Sequence, residues 1–149
     1  MRNVSVPRFV MAVVASAITV AILNGIITAV GYYGFLKSHS PLTAMGLWEK
    51  VQIPAEQTRI PALLLSLLCL GAMITTVVHW AGARSFIDGM RVAFIVGCLA
   101  IGTVNLGLLA TTHYWSYTSA IVDVFVAGAT FAVGGGLAAT ILGRANKST

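Results

Sequence analysis

Ionisable side chains are scarce in this chain. Four Asp/Glu and nine Lys/Arg make up 9% of 149 residues, where a soluble domain carries about 25%. With 58% hydrophobic residues and a mean hydropathy of +0.91, that scarcity excludes an ordinary water-facing surface, which would be too apolar to stay dispersed. Cysteine is scarce too. Cys69 and Cys98 both fall inside apolar runs and no C-x-x-C occurs, which argues against a thiol redox enzyme and makes each a small buried hydrophobe. H-x-x-x-H, H-E-x-x-H and C-x-x-C-H spacings are missing, as are low-complexity segments and convincing internal repeats. No cofactor is expected on these grounds.

What fills the chain instead is four long apolar segments, at residues 9–35, 61–82, 92–112 and 120–143. Each reaches the roughly 20 residues that cross a bilayer at ~1.5 Å per residue. The expected fold is therefore an all-α integral membrane protein, one domain over residues 1–149, built as a four-transmembrane-helix bundle. Pro7 and Pro61 suit early helical positions. Ser85-x-x-Asp88 reads as a capping box ahead of the third span. Ala15-Ser16-Ala17 imitates a signal-cleavage site, but the apolar run continues well past it, as in an uncleaved first span.

The longest connection, residues 37–60, contains Ser40-Pro41, an N-cap followed by proline. Leu42, Met45, Trp48 and Val51 then recur every three residues with Glu49 and Lys50 turned away. That pattern predicts one short amphipathic interfacial helix with Trp48 at headgroup level, ended by Pro54. Tyr32, Tyr33 and Phe35, and later His113-Tyr114-Trp115, read as aromatic belts.

Charge placement sets the expected topology. Arg2, Arg8, Arg84, Arg91, Arg144 and Lys147 flank one side, against Lys37, Lys50 and Arg59 on the other. The excess places both termini and the 83–90 turn in the cytoplasm, here of a bacterial inner membrane. Topology thus accounts for the net charge of +5, and no nucleic-acid partner is expected. Arg84, Asp88 and Arg91 are spaced to share a helix face, as membrane anchors with room for anionic lipid.

Few residues are equipped for chemistry. Gly128, Ala132, Gly136 and Thr140 recur every four residues and flatten one face of the fourth span, for packing within the bundle or against another subunit. Ala21, Gly25 and Ala29 give the first span a weaker version. Asn24 and Asn105 are amides inside spans; each is expected to face the bundle interior, in an interhelical hydrogen bond or a polar pocket. Asp123 is an intramembrane carboxylate, a site hypothesis by default, although it lies where a helix N-terminus favours negative charge. His113, a short turn away, is its candidate acid–base partner. His39, His113, Glu49, Glu56 and Asp123 share one side and are weak metal candidates.

Two four-span classes are excluded by what is missing. Small multidrug transporters rely on an acid in the first span, and this span has none. Glutathione-type membrane enzymes need Arg, Asn and Glu within their helices, and no Arg lies inside here. Three functions remain. The first is a non-catalytic subunit or assembly partner of a larger membrane complex. The second is a homo-oligomeric small transporter or channel using Asn24, Asn105 and Asp123. The third is a membrane enzyme with an outer-face His113/Asp123 site. Membrane lipids, other membrane subunits or further copies of the chain are the expected partners.

Overall fold

The computed structural model describes residues 4–51 and 57–144. It is all-helical over those residues, in the order α1 Val6–Ala29, α2 Tyr32–His39, α3 Pro41–Ala44, α4 Trp48–Val51, α5 Ile60–Trp80, α6 Phe86–Thr111 and α7 Tyr117–Gly143. Four of these, α1, α5, α6 and α7, are long and apolar enough to cross a membrane by length and composition. Arg2, Pro54, Glu56 and Lys147 lie outside the described residues.

Two features depart from the sequence reading, and glycine causes both. The 9–35 segment is not one helix. Gly31 adopts φ +92°, a left-handed conformation open to glycine at little cost. It ends α1 and lets α2 set off in a new direction. Likewise the single amphipathic helix expected around Trp48 is two separate turns, α3 and α4, divided at Gly46 with φ +67°. Ser40 does cap α3, accepting from Leu42 N at 3.3 Å. At the start of α6, Ser85 Oγ accepts from Asp88 N at 3.2 Å and donates to Asp88 Oδ2 at 2.6 Å.

The bundle is organised around α7, because its small residues let neighbours approach from several directions. The run Gly134-Gly135-Gly136 meets three of them. Gly134 abuts Val20 and Ser16 of α1 and Ile74 of α5. Gly135 lies against Ala93 and the Gly89 carbonyl of α6, and Gly136 against Phe86 and Met90. Ser16 Oγ donates to Gly134 O at 3.0 Å, so a fully buried hydroxyl is satisfied by backbone that a larger residue would have kept away. At the end of α7, Gly143 packs on the carbonyl of Arg84.

This packing is uneven along the bundle. The end carrying Arg84 and Arg91, the basic end, is closed. There α1 buries Ala12, Ser16, Ala17 and Val20, and α5 buries Gly71, Ile74, Thr75 and Val78. Toward the opposite end, which carries α2 to α4 and is here called the cap end, α1 has no fully buried residue beyond Val20 and α5 none before Gly71, although Leu67 and Leu70 still pack on the core. The α6–α7 hairpin alone stays packed along its length, from Gly89 and Ala93 up to Asn105, Ser119 and Ala120. The result is a bundle shut at one end and open between α1, α5 and the hairpin at the other.

Candidate polar site in the open half

Asp123 occupies the second turn of α7. Eleven residues separate it from Gly134, and eleven residues make about three full turns plus 20°. Asp123 therefore shares the face of α7 that α1 and α5 cover at the basic end; here it is half-buried and Tyr32, just beyond α1, reaches it. Two neutral groups hold its half-buried carboxylate. Tyr32 Oη donates to Oδ1 at 2.6 Å, and Asn105 Nδ2 donates to Oδ2 at 2.9 Å. Asn105 itself is buried, 3% exposed, and also donates to Ala120 O at 3.3 Å. Burial first, and then the hydrogen bond and charge of Asp123, push the Tyr32 phenol well above its ordinary range. The phenol therefore stays protonated and remains a donor.

Tyr32 reaches Asp123 because Gly31 turns the chain just before it. The sequence reading assigned Tyr32 to an aromatic belt and missed this contact, which no local pattern signals. Among the described residues the sole ion pair is Lys37 with Glu49, so no Lys or Arg neutralises Asp123.

The remaining sequence candidates do not join this site. His113 is exposed and lines an apolar hollow of about 430 Å³ with Leu42, Val51 and Leu108; it makes no hydrogen bond to Asp123. The His39 ring sits 4.2 Å from that of Phe35 and bonds Phe35 O at 2.9 Å. Glu49 is taken up by Lys37. Among the described residues no three His, Cys, Asp or Glu side chains converge.

Asn24 departs from expectation. It is exposed, and its amide has no hydrogen-bond partner among the described residues. The reason is the open half. Four residues past Val20 is one turn plus about 40°, so Asn24 lies almost above a core residue, but at a level where α1 has no fully buried residue. Beside it, a Cβ built on Gly25 would meet nothing within 4 Å, and Ala29 is exposed. Ala21 lines a groove of about 250 Å³ with Ile18, Leu64, Leu67 and Leu68.

The stronger small-residue face of α7 is used within the chain. Gly128 lies against Cys98 and Phe94, Gly136 against Phe86 and Met90, and Ala132 is buried. Thr140 Oγ1 bonds its own helix at Gly136 O, 2.9 Å away. Of the two small-residue stripes, that of α1 is the one left uncovered. Cys98 is half-buried, with Sγ 3.7 Å from Val124 O, but Cys69 is exposed rather than buried.

Above the site, the 40–51 segment is fastened to the α6–α7 turn. Trp48, 5% exposed, stacks on Tyr114 at 5.8 Å and meets Tyr33 edge-on at 5.8 Å. Ser40 Oγ donates to Tyr114 O at 2.7 Å. Trp48 thus belongs to an internal aromatic cluster.

Comparison with protein-family models, with curated proteins and with solved structures yields no match for this chain.

Proposed function

We propose that this chain is a non-catalytic subunit or assembly partner of a larger membrane complex, and that a partner helix docks in its open half against α1. The observation that carries this reading is Asn24. In hydrocarbon an amide without a partner costs several kcal/mol, on the order of 2–7. A helix seated on Ala21, Gly25 and Ala29 would supply that partner, at close approach and with no side chain of α1 in the way. The exposed first half of α5 forms the other wall.

In this reading the four apolar helices span a bacterial inner membrane. The positive-inside bias puts both termini and the basic end in the cytoplasm, and the cap end outside. The α3 and α4 turns lie at the outer interface. Lipid covers the faces that no subunit covers.

A second reading, a homo-oligomeric transporter or channel, draws on Asp123, a half-buried carboxylate with no cation partner among the described residues. The closed core at the basic end, around Val20, Ile74 and Leu142, leaves a single copy with no through-path, so that role would require several copies. The enzyme reading draws less support, since His113 makes no hydrogen bond to Asp123 among the described residues.

A photo-crosslinking residue at position 25, compared with one at Ala132, tests the docking reading in native membranes. Adducts to another membrane protein are expected from position 25 and not from position 132. Absence of adducts at position 25 on either wall of the groove, with Leu64 as the second probe, contradicts it.

A further inference from the structure

We infer that the docked partner is a membrane-spanning helix carrying a lysine or arginine about two turns inside its outer end, and that this cation pairs with Asp123. The inference rests on the docking reading above and adds the chemistry of the partner. Three observations lead to it.

First, Asp123 is a carboxylate held in place but not neutralised. Tyr32 and Asn105 each donate one hydrogen bond, one to each oxygen. A carboxylate offers about four acceptor positions, so each oxygen retains capacity. Two neutral donors orient the group and leave its charge in full, and charged groups within spans characteristically pair with opposite charge.

Second, among the described residues no Lys or Arg pairs with Asp123, and none lies inside an apolar run. No Lys or Arg occurs between Arg8 and Lys37, between Arg59 and Arg84, or between Arg91 and Arg144. Lys37, the basic residue nearest in sequence to Tyr32, is engaged with Glu49. A second copy would bring another Asp123 and no cation within an apolar run, so charge complementarity at that depth selects a different chain.

Third, depth follows from the position of Asp123. It lies six residues or about 9 Å inside α7, bonded by Tyr32 just beyond the end of α1. Asn24 lies five residues or about 8 Å inside the cap end of α1, deeper than Asp123. A helix entering along α1 from the cap end passes the level of the carboxylate before that of the amide, which sets where its cation must be.

The test uses the full chain, donor-labelled, in vesicles of zwitterionic lipid with acceptor-labelled synthetic spanning peptides. The peptides have a Leu/Ala sequence of about 23 residues, with Lys, Leu or Glu two turns from one end. The Lys peptide is expected to associate roughly tenfold more than the Leu peptide, the ratio given by about 1.4 kcal/mol, and the Glu peptide less than either. Asp123→Asn keeps an oxygen that accepts from Tyr32 but turns its NH2 toward Asn105 Nδ2, so its fold is checked by circular dichroism; it should abolish the preference for Lys. Equal association of Lys and Leu peptides, or a Lys preference that survives Asp123→Asn, overturns the inference. If all peptides bind alike and Asn24→Leu weakens all of them, the docking surface stands and the cation falls. If none binds, both fall.

Discussion

Tyr32 and Asp123 are 91 positions apart in the chain, and a 2.6 Å hydrogen bond joins them. That contact ties the helix following the Gly31 break to α7, and with Asn105 it links three elements at the cap end. It fixes a carboxylate at the mouth of the open half, where side-chain freedom would otherwise let it turn to the nearest water.

Replacing Tyr32 with phenylalanine removes the donor and keeps the ring. A hydrogen bond to a charged group contributes about 1.5–3 kcal/mol, less where water competes. Tyr32→Phe should therefore destabilise the detergent-solubilised protein by about 1–2 kcal/mol, read as a lower midpoint in thermal or denaturant unfolding. It should also speed proteolytic nicking in residues 37–51. An unchanged midpoint and unchanged nicking would mean that the contact does not hold the cap.

The same pair predicts a phenol that does not titrate where tyrosine usually does, near pH 10. Burial and Asp123 both raise its pKa. A raised pKa means that the neutral phenol is the form favoured by folding; its contribution is complete below pH 10 and is lost only as pH climbs toward the raised value. The difference in tyrosinate absorbance between wild type and Tyr32→Phe should accordingly be flat from pH 8 to about 11. A one-phenolate step centred near pH 10 would show that Tyr32 is solvated.

The two small-residue stripes should respond in opposite ways to bulk. Gly135→Leu drives a side chain into Ala93 and the Gly89 carbonyl; overpacking costs typically 1–3 kcal/mol and more against backbone. That variant should lose the helix signal at lower temperature or fail to accumulate. Gly25→Leu has open space, so its midpoint should hold within about 0.5 kcal/mol. Its effect should instead be confined to partner association. Equal damage from both would contradict the division into an internal and an external stripe.

Trp48 gives a fourth check, on the cap. Packed between Tyr33 and Tyr114, it should fluoresce as an indole shielded from aqueous quenchers. Trp48→Ala should cost about 3 kcal/mol or more if the cluster cannot collapse, and should loosen the 40–51 segment before the bundle. Quenching of Trp48 by aqueous iodide as efficient as that of free indole would rule out the buried cluster.

How much of this was legible in the sequence follows from what sets each feature. Hydropathy over about 20 residues located α5 and α7 to within three positions and the end of α6 to within one, because length and apolarity alone make such helices; α6 begins at Phe86, six positions before the apolar run. Ser40 and Ser85 were readable as caps because a short side chain bonds its own neighbourhood. The breaks at Gly31 and Gly46 were not, since glycine within an apolar run is equally at home in a helix and in a left-handed turn, and tertiary contacts decide between them. Asp123 and Asn105 could be chosen for their polarity, but Tyr32 depends on a fold-back that no local pattern encodes. Asn24 was expected to face the interior; it does lie near the core face of α1, but it is exposed. Which small-residue face is internal was likewise undecidable from spacing, because the same four-residue period serves either use.

The account turns on a bundle that is incomplete by itself. Its most direct measurement is the mass and composition of the particle released from native membranes in a lipid-preserving polymer, with the chain tagged at the end of its sequence. The account predicts a mixed particle in which one further spanning protein is present in fixed ratio and is lost in Asn24→Leu. A stable particle holding one copy of this chain and lipid alone would contradict it.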